Sequence, residues 1–517
     1  MNASHLLLIC ALSISACSPA KEPQEVSAPQ AAAARIDIGL MNEYKLTNAR
    51  STTWDLPALP PEADDTTFLR RACIDLAGRL PKPDEVRAFV ADKTTDKRAR
   101  LTNALIKELG AAEVRFQMLA EAFRVKDDAE VIAWLHKAAT GDMPFAQILT
   151  YMIGERHMNR RNQGNAMRTG VEVAFSVLGE DLYCAMCHDH PYNNHTQREA
   201  YAFAACFTES GEMRLPKDYL YSDGKPGDVV KPKLLTMSRQ KVPTVGPGRE
   251  KHQQVAKWVT DEQSHRFATV AALRVWSSLF GMPGLMVNHT TGGVEAAPAW
   301  HEIPAEPFPL NLSSLCFGAC NRSQLTWIGS DFQQASDNSQ PTNTLTKEFL
   351  RCGGRIGEFQ RILANTTAYN RAGIHYNTEW SGCYMAPAPH IRRLPSEVIW
   401  DALATRMSGQ KMSAELPQVP TAEHPLRMLG RGTREWTDES VTPVSHELAR
   451  FMMNSVMVQN ACASAGDVEA LFLSLIGRLP SATEQTRAQQ HVAESPQTSS
   501  QDIAWALFNT TEFLFRP

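Results

Sequence analysis

An eight-residue joint, Gly-Arg-Leu-Pro-x-x-x-Glu, occurs twice in this chain, at 78–85 and at 477–484. Each copy follows a run whose apolar residues recur every three or four positions. Before the first copy, Phe68, Leu69, Ala72, Cys73 and Leu76 line one face of a helix over 65–77. The residue types of the joint fix what comes next. Gly78 supplies the left-handed position that closes a helix, and Leu80 folds back on the helix it follows. Proline near the next first turn loses no needed hydrogen bond, and Asp84 and Glu85 complement the dipole there. The second copy closes an apolar run over 467–476 in the same way. A partial echo, Arg393-Leu394-Pro395-Ser396-Glu397, opens a helix through Ala404. A chain punctuated like this folds as helix on helix, so the expected class is mainly α, with multi-helix domains and irregular loop-rich insertions. Ancient duplication and good turn chemistry used twice both account for the pair, and two distant copies do not make a solenoid.

Further helices are expected at 97–109, 111–124, 129–139, 144–154, 166–182, 196–207, 251–260 and 264–280. A last group falls at 346–366, 395–408, 444–454, 467–476, 482–493 and 500–509. Periodicity fades at 211–250, where short strands such as 229–236 fit, and again at 283–345. This divides the chain into a helical domain at 51–210, a linker at 211–250, and a second helical domain at 251–517 carrying the irregular insertion 283–345. With 517 residues and a formal net charge of -4, the chain has length for several cores and no basic footprint for nucleic acid.

The N-terminus carries a different signal. Leu6 to Ile14 is apolar but far too short to span a bilayer, and it suits a signal peptide. Ile14-Ser15-Ala16-Cys17 resembles a lipobox, so residues 1–17 are expected to be a lipoprotein signal, with Cys17 lipidated and holding the protein to a membrane. Residues 18–50 begin rich in Pro, Ala, Gln, Glu and Ser and are expected to be a flexible tether. The expected location is the periplasm or the outer membrane, where disulfides persist. Of 11 cysteines, Cys10 leaves with the signal and Cys17 takes lipid. Cys316 and Cys320 are spaced for a local disulfide.

The sharpest chemical feature is Cys184-Ala185-Met186-Cys187-His188, the spacing of c-type haem attachment. Two thiols three positions apart meet the two vinyl groups of one porphyrin, and the adjacent histidine meets the iron. Tyr201, Phe203 and Phe207 follow and could pack on the ring. Met213, Met237, His190 and His195 are sequence-near candidates for the sixth ligand. Two other readings stay open. Cys184, Cys187, His188 and His190 supply the four ligands zinc needs, provided the segment is irregular. Alternatively Cys184 and Cys187 form a disulfide with unrelated histidines.

Several stretches resemble a known family pair. Asp65 to Arg71 followed by Asp75 to Pro81 resembles the opening of the planctomycete and verrucomicrobial "cytochrome-like" DUF1549 (PSCyt2) domain. Trp134 to Glu155, with Asp142-Met143-Pro144-Phe145, looks like its middle. Cys184 to Tyr192, then Thr196-Gln197-Arg198-Glu199 and Tyr201, resembles its closing element. Arg274-Val275-Trp276 and Leu279-Phe280-Gly281 look like the start of the partner DUF1553 (PSD1) domain. Arg392 to Ala402 is similar to its central helix, and Trp505 to Asn509 and Glu512 to Phe515 to its ending. The resemblance implies a bacterial envelope protein and little about activity. Two departures stand out: no separate cytochrome domain precedes this region, and Asn193, Asn194 and His195 replace aromatic or acidic positions. The insertion matches nothing in the pair.

Other constellations are weaker. His289 and His301 with Glu295 and Glu302 read as a polar loop. Trp258, Trp276, Trp327 and Trp380 read as core aromatics more than as a sugar platform. Arg70-Arg71 and Arg392-Arg393 are expected to pair with acidic residues of neighbouring helices. Three functions follow: an envelope monohaem protein with an unknown redox or surface partner, a non-redox scaffold with a disulfide or zinc knot at 184–190, and a metal-dependent hydrolase using His188, Asp189 and His190.

Overall fold

In a computed structural model the described residues are 29–50, 59–180, 182–190, 195–235, 245–246, 250–261, 266–281, 344–374, 388–409, 418–434, 446–464 and 466–516. Cys17, His289, His301, Cys316, Cys320, Trp327, Trp380, Cys383, Met237 and nearly all of the insertion lie outside them. The class is mainly α, as expected.

The helices of the first half are α1 (Pro29–Arg50), α2 (Asp65–Ala77), α3 (Pro83–Ala91), α4 (Lys97–Leu105), α5 (Leu109–Ala122), α6 (Ala129–Thr140), α7 (Phe145–Leu149), α8 (His157–Arg161), α9 (Ala166–Val173) and α10 (Gln197–Ala204). Then come α11 (Lys251–Val259) and α12 (Arg266–Phe280). Two of them run on into π-helical turns, α7 into Thr150–Gly154 and α9 into Ala174–Leu178. Among the described residues, four two-residue strands form two antiparallel pairs, β1 (Met213–Arg214) with β2 (Val229–Val230), and β3 (Arg392–Arg393) with β4 (Phe515–Arg516).

The joints are built as the sequence predicts. Asp64 caps α2 by accepting the Thr67 N–H at 2.9 Å. Gly78 closes it with φ 61°, and the N–H groups of Gly78 and Arg79 reach back to the carbonyls of Ile74 and Cys73. The arginine of each joint clamps two carboxylates: Arg79 holds Glu85 and Glu108, and Arg478 holds Glu484 and Glu512. In both copies the second carboxylate stands at the start of the second helix after the glutamate, α5 in one case and Thr511–Leu514 in the other. The two joints also touch. Gly477, at φ 81°, leaves room for Pro81, whose Cγ lies 3.0 Å from where a Cβ would stand. Their leucines fare differently, since Leu80 packs on the second core and Leu479 is 52% exposed.

Three expectations change. Residues 29–50, read as the end of a flexible tether, form a helix. Ala32, Ala33, Ile36 and Leu40 of α1 are buried in the main core, Arg35 pairs with Glu348 through two bonds of 2.7 Å, and Asp37 accepts the N–H groups of Thr367 and Ala368. Composition missed the apolar spacing of those four residues. Nor does the core break at 211–250. The first core continues through Leu234, Val255, Val259, α12 and the helices Thr344–Arg351 and Ile356–Ala364 to Tyr369, and Leu473 joins it. A second core gathers Leu394 to Phe513 with Ile74 of α2. α11 and α12 are apolar enough on one face to close over the π-helical turns rather than start a separate core. Finally, the paired arginines meet backbone carbonyls more than acids. Arg70 donates to the carbonyls of Leu475 and Ile476 at 2.8 and 3.1 Å, and to those of Glu512 and Phe513 at 3.2 and 3.0 Å. Arg392 donates to Ser277, Ser278 and Leu279 at the end of α12.

Cys73, Cys206, Cys352 and Cys462 are buried thiols. Burial pushes the first three up to about 12 and the last to about 11. Such thiols are inert at neutral pH.

Arg70→Met removes a buried guanidinium that satisfies four carbonyls. It should cost about 3 kcal/mol or more, read as a lower denaturant or thermal midpoint. Arg87→Ala removes only the exposed bridges to Asp84 and Glu469 and should leave that midpoint in place.

Candidate functional site

The 184–188 motif sits on a turn between α9 and α10. The helical run of α9 and its π-helical turn stop at Gly179, φ 65°, short of the 166–182 helix that periodicity suggests. Leu182 is buried, and a single 3₁₀ turn, Cys184–Met186, follows. Ala185 is fully buried and anchors that turn. The N–H groups of Cys187 and His188 both donate to the Cys184 carbonyl at 3.1 Å. One short turn therefore carries both thiols and the imidazole. Cys184 is half-buried, while Cys187 and His188 are exposed. No disulfide joins the two cysteines.

The His188 Nδ1 lies 2.8 Å from the backbone carbonyl of Asp189. A carbonyl oxygen only accepts, so Nδ1 carries the proton in the neutral ring and Nε2 keeps its lone pair. This arrangement is typical of an imidazole that binds a metal through Nε2. The turn is clamped from two sides. The Asp189 N–H donates to the Tyr221 hydroxyl at 2.7 Å, and the Asp189 Oδ1 accepts the Gln197 N–H at 2.8 Å. Gln197 Nε2 donates to the Met186 carbonyl at 3.3 Å. Thr196 caps α10 by accepting the Glu199 N–H.

His190 is half-buried, and its N–H donates to the His195 carbonyl at 2.9 Å. Among the described residues, no three His, Cys, Asp or Glu side chains converge as ligands for one ion. The structure thus keeps Cys184, Cys187 and His188 on one turn but does not draw His190 in with them.

His195 is committed elsewhere. Its Nδ1 lies 3.0 Å from Glu199 and its Nε2 3.1 Å from Glu180, and Arg266 also bonds Glu180. Burial disfavours charge on His195, but its hydrogen bonds to Glu180 and Glu199 outweigh that and raise it to about 9. Burial likewise opposes the Glu180 carboxylate, yet the Arg266 charge and the His195 hydrogen bond hold it at about 2. His195 is therefore a doubly bonded imidazolium with no ring nitrogen to offer a metal. It ties the exit of α9 to the entry of α10. Sequence reasoning named His195 but missed Glu180 and Glu199 as its partners. The i, i+4 spacing of His195 and Glu199 was the available signal.

The aromatic expectations divide. Phe203 and Phe207 lie in the main core, packed edge-to-face on one another and against Trp258 and His252. Tyr201 lies on the opposite side of α10, half-buried, and burial and the neighbouring Cys187 thiol both raise its phenol. Met213, Tyr201 and Tyr221 pack on a small satellite core of Ala202, Leu215, Tyr219 and Val230. Trp276 is buried and stacks on Phe280 at 3.7 Å, a core role as expected.

Residues 55–172 and 155–212 match one family model, PSCyt2, described as a protein of unknown function (DUF1549). This stretch is similar to DUF1549. It runs from before α2 through the motif turn and α10, ending just beyond Phe207. No curated protein matches the chain, and no solved structure does.

The His195 network makes stability depend on pH with a definite sign. A histidine raised from 6.5 to about 9 stabilises the fold fully below 6.5, and that contribution fades as pH rises through 9. A carboxylate lowered from 4.5 to about 2 contributes above 4.5 and is lost as pH falls through 2. Unfolding midpoints of the native protein and His195→Ala should differ most between about pH 4.5 and 6.5 and converge toward pH 9. A gap that does not change with pH would refute the charged network.

Proposed function

We propose that the turn 184–188 is a covalent haem c attachment site and that the protein is an exported, lipid-anchored redox protein of the cell envelope. The supporting observation is the state of His188. Its Nδ1–H is engaged by the Asp189 carbonyl, so the Nε2 lone pair stands on an exposed ring beside the exposed Cys187 thiol. The residues present fit the group. Cys184 and Cys187 would each add S–H across a vinyl C=C, which requires no leaving group and no oxidant. His188 would hold the iron from one side, with Asp189 and Gln197 fixing the ring's position through the clamped turn. When bound, the haem supplies reversible one-electron transfer. Attachment through a surface turn suits a protein that passes electrons to a partner, and covalent bonds prevent loss of the cofactor outside the cell.

The anchor belongs to the same reading. The apolar run Leu6 to Ile14 and the lipobox-like ending at Cys17 support export and lipidation. No described helix is long and apolar enough to cross a membrane. The part of the chain after the DUF1549-like region resembles DUF1553 in the motifs at 274–281, 392–402 and 505–515, and we read it as that partner domain.

The experiment is expression of the full chain in a host with an active cytochrome c maturation system. The native protein should show a sharp reduced α-band and a haem-stained band on a denaturing gel. Cys184→Ser/Cys187→Ser should show neither. His188→Ala should keep some stain and lose the native spectrum. Colourless native protein from a competent host would end the haem reading.

A further inference from the structure

We propose that Arg198 is a carboxylate receptor of this site, and that it takes a propionate of the porphyrin held on Cys184 and Cys187. The inference rests on the haem reading above.

Arg198 and Tyr201 are three residues apart on α10, so they share a face. That face adjoins the motif turn, because Gln197 bonds both Met186 and Asp189 and Tyr201 neighbours the Cys187 thiol. The opposite face carries Phe203 into the core. The guanidinium of Arg198 lies over Gly224 and beside Tyr219. A Cβ on Gly224 would collide with Nη1 and stand 3.3 Å from the Tyr219 ring. The absent side chain makes the cradle.

Arg198 also carries an unused donor. Its Nη1 is buried and has no hydrogen-bond partner among the described residues. Asp223, next to Gly224 in the β1–β2 connection, accepts from the Tyr219 hydroxyl. A buried guanidinium end without an anion is costly, and a carboxylate in its fork removes that cost. A porphyrin joined through its vinyl groups carries its two carboxylates on the edge away from the thioethers. Their partner must therefore stand apart from Cys184 and Cys187 but on the same side of the site, as Arg198 does along α10.

The test uses the full chain matured with haem, as native protein, Arg198→Gln and Arg198→Lys. The readouts are the haem-stained band and the midpoint potential. Removing a positive charge beside the haem favours the oxidised iron. Arg198→Gln should keep the stain and shift the redox equilibrium about tenfold toward the oxidised form, about 59 mV for one electron. Arg198→Lys should give a smaller fall, and it carries the test if the Gln variant does not fold. Stained variants with the native potential would overturn the role of Arg198 and leave the haem reading intact. Unstained native protein would overturn both. The source of the carboxylate is checked with Cys184→Ser/Cys187→Ser and sodium propionate. Stabilisation by millimolar propionate that Arg198→Gln abolishes, equal in the haem-loaded native protein, would mean a separate carboxylate occupies Arg198 and would overturn the assignment.

Discussion

Guanidinium groups bonded to the carbonyl ends of helices hold this protein together. A chain of many short helices leaves many C-terminal carbonyls without a partner, and buried ones must find donors. Arginines distant in sequence supply them. Arg70 reaches the end of the π-helical turn Phe472–Ile476, Arg392 the end of α12, and Arg266 and Arg274 the end of the turn Ala174–Leu178. Arg161 meets the Phe123 carbonyl after α5, and Arg406 meets Ala461 in the last turn of Val456–Cys462 and Ser464 beyond it. Burial lowers Arg70 to about 10 and Arg392 to about 9, still charged at neutral pH. Lysine would lack the fork that lets one side chain serve several carbonyls.

This scheme also places the site. The turn Ala174–Leu178 is held from outside by Arg266 and Arg274, both on α12. Arg266 goes on to Glu180, Glu180 to His195, and His195 to Glu199 at the start of α10. The segment with half-buried Cys184 and exposed Cys187 and His188 is thus a loop whose two ends are fixed by one buried charge chain. Asp75 does comparable work where the two cores meet, accepting from Tyr369 and from Arg516 of β4. Rigid ends and an exposed middle let a surface turn keep one geometry while remaining open to a cofactor or partner.

The paired joints separate local from distant causes. Within each copy, Gly, Arg, Pro and Glu yield the same chain reversal and the same first clamp, because every group involved lies within eight residues. The second clamp needs Glu108 in one copy and Glu512 in the other, and no spacing rule names either. The unequal fate of Leu80 and Leu479 is likewise set by what lies opposite, which differs between the copies.

The sequence by itself determined the helical class, the joints at 78–85 and 477–484, and the gathering of Cys184, Cys187 and His188 on one turn. All of these rest on dihedral preferences, caps and spacings within a few residues. It could also have shown α1, since Ala32, Ala33, Ile36 and Leu40 are spaced for one face, but composition masked that pattern. Tertiary structure alone decided that the first core runs through α11 and α12 to Tyr369, and that Arg70 and Arg392 serve carbonyls instead of acids. It alone made His195 an ion-pair centre rather than a candidate ligand, turned Phe203 inward, and left Arg198 over Gly224. Each of these depends on which groups meet across tens to hundreds of residues, and a buried charge takes whatever partner that packing brings within reach.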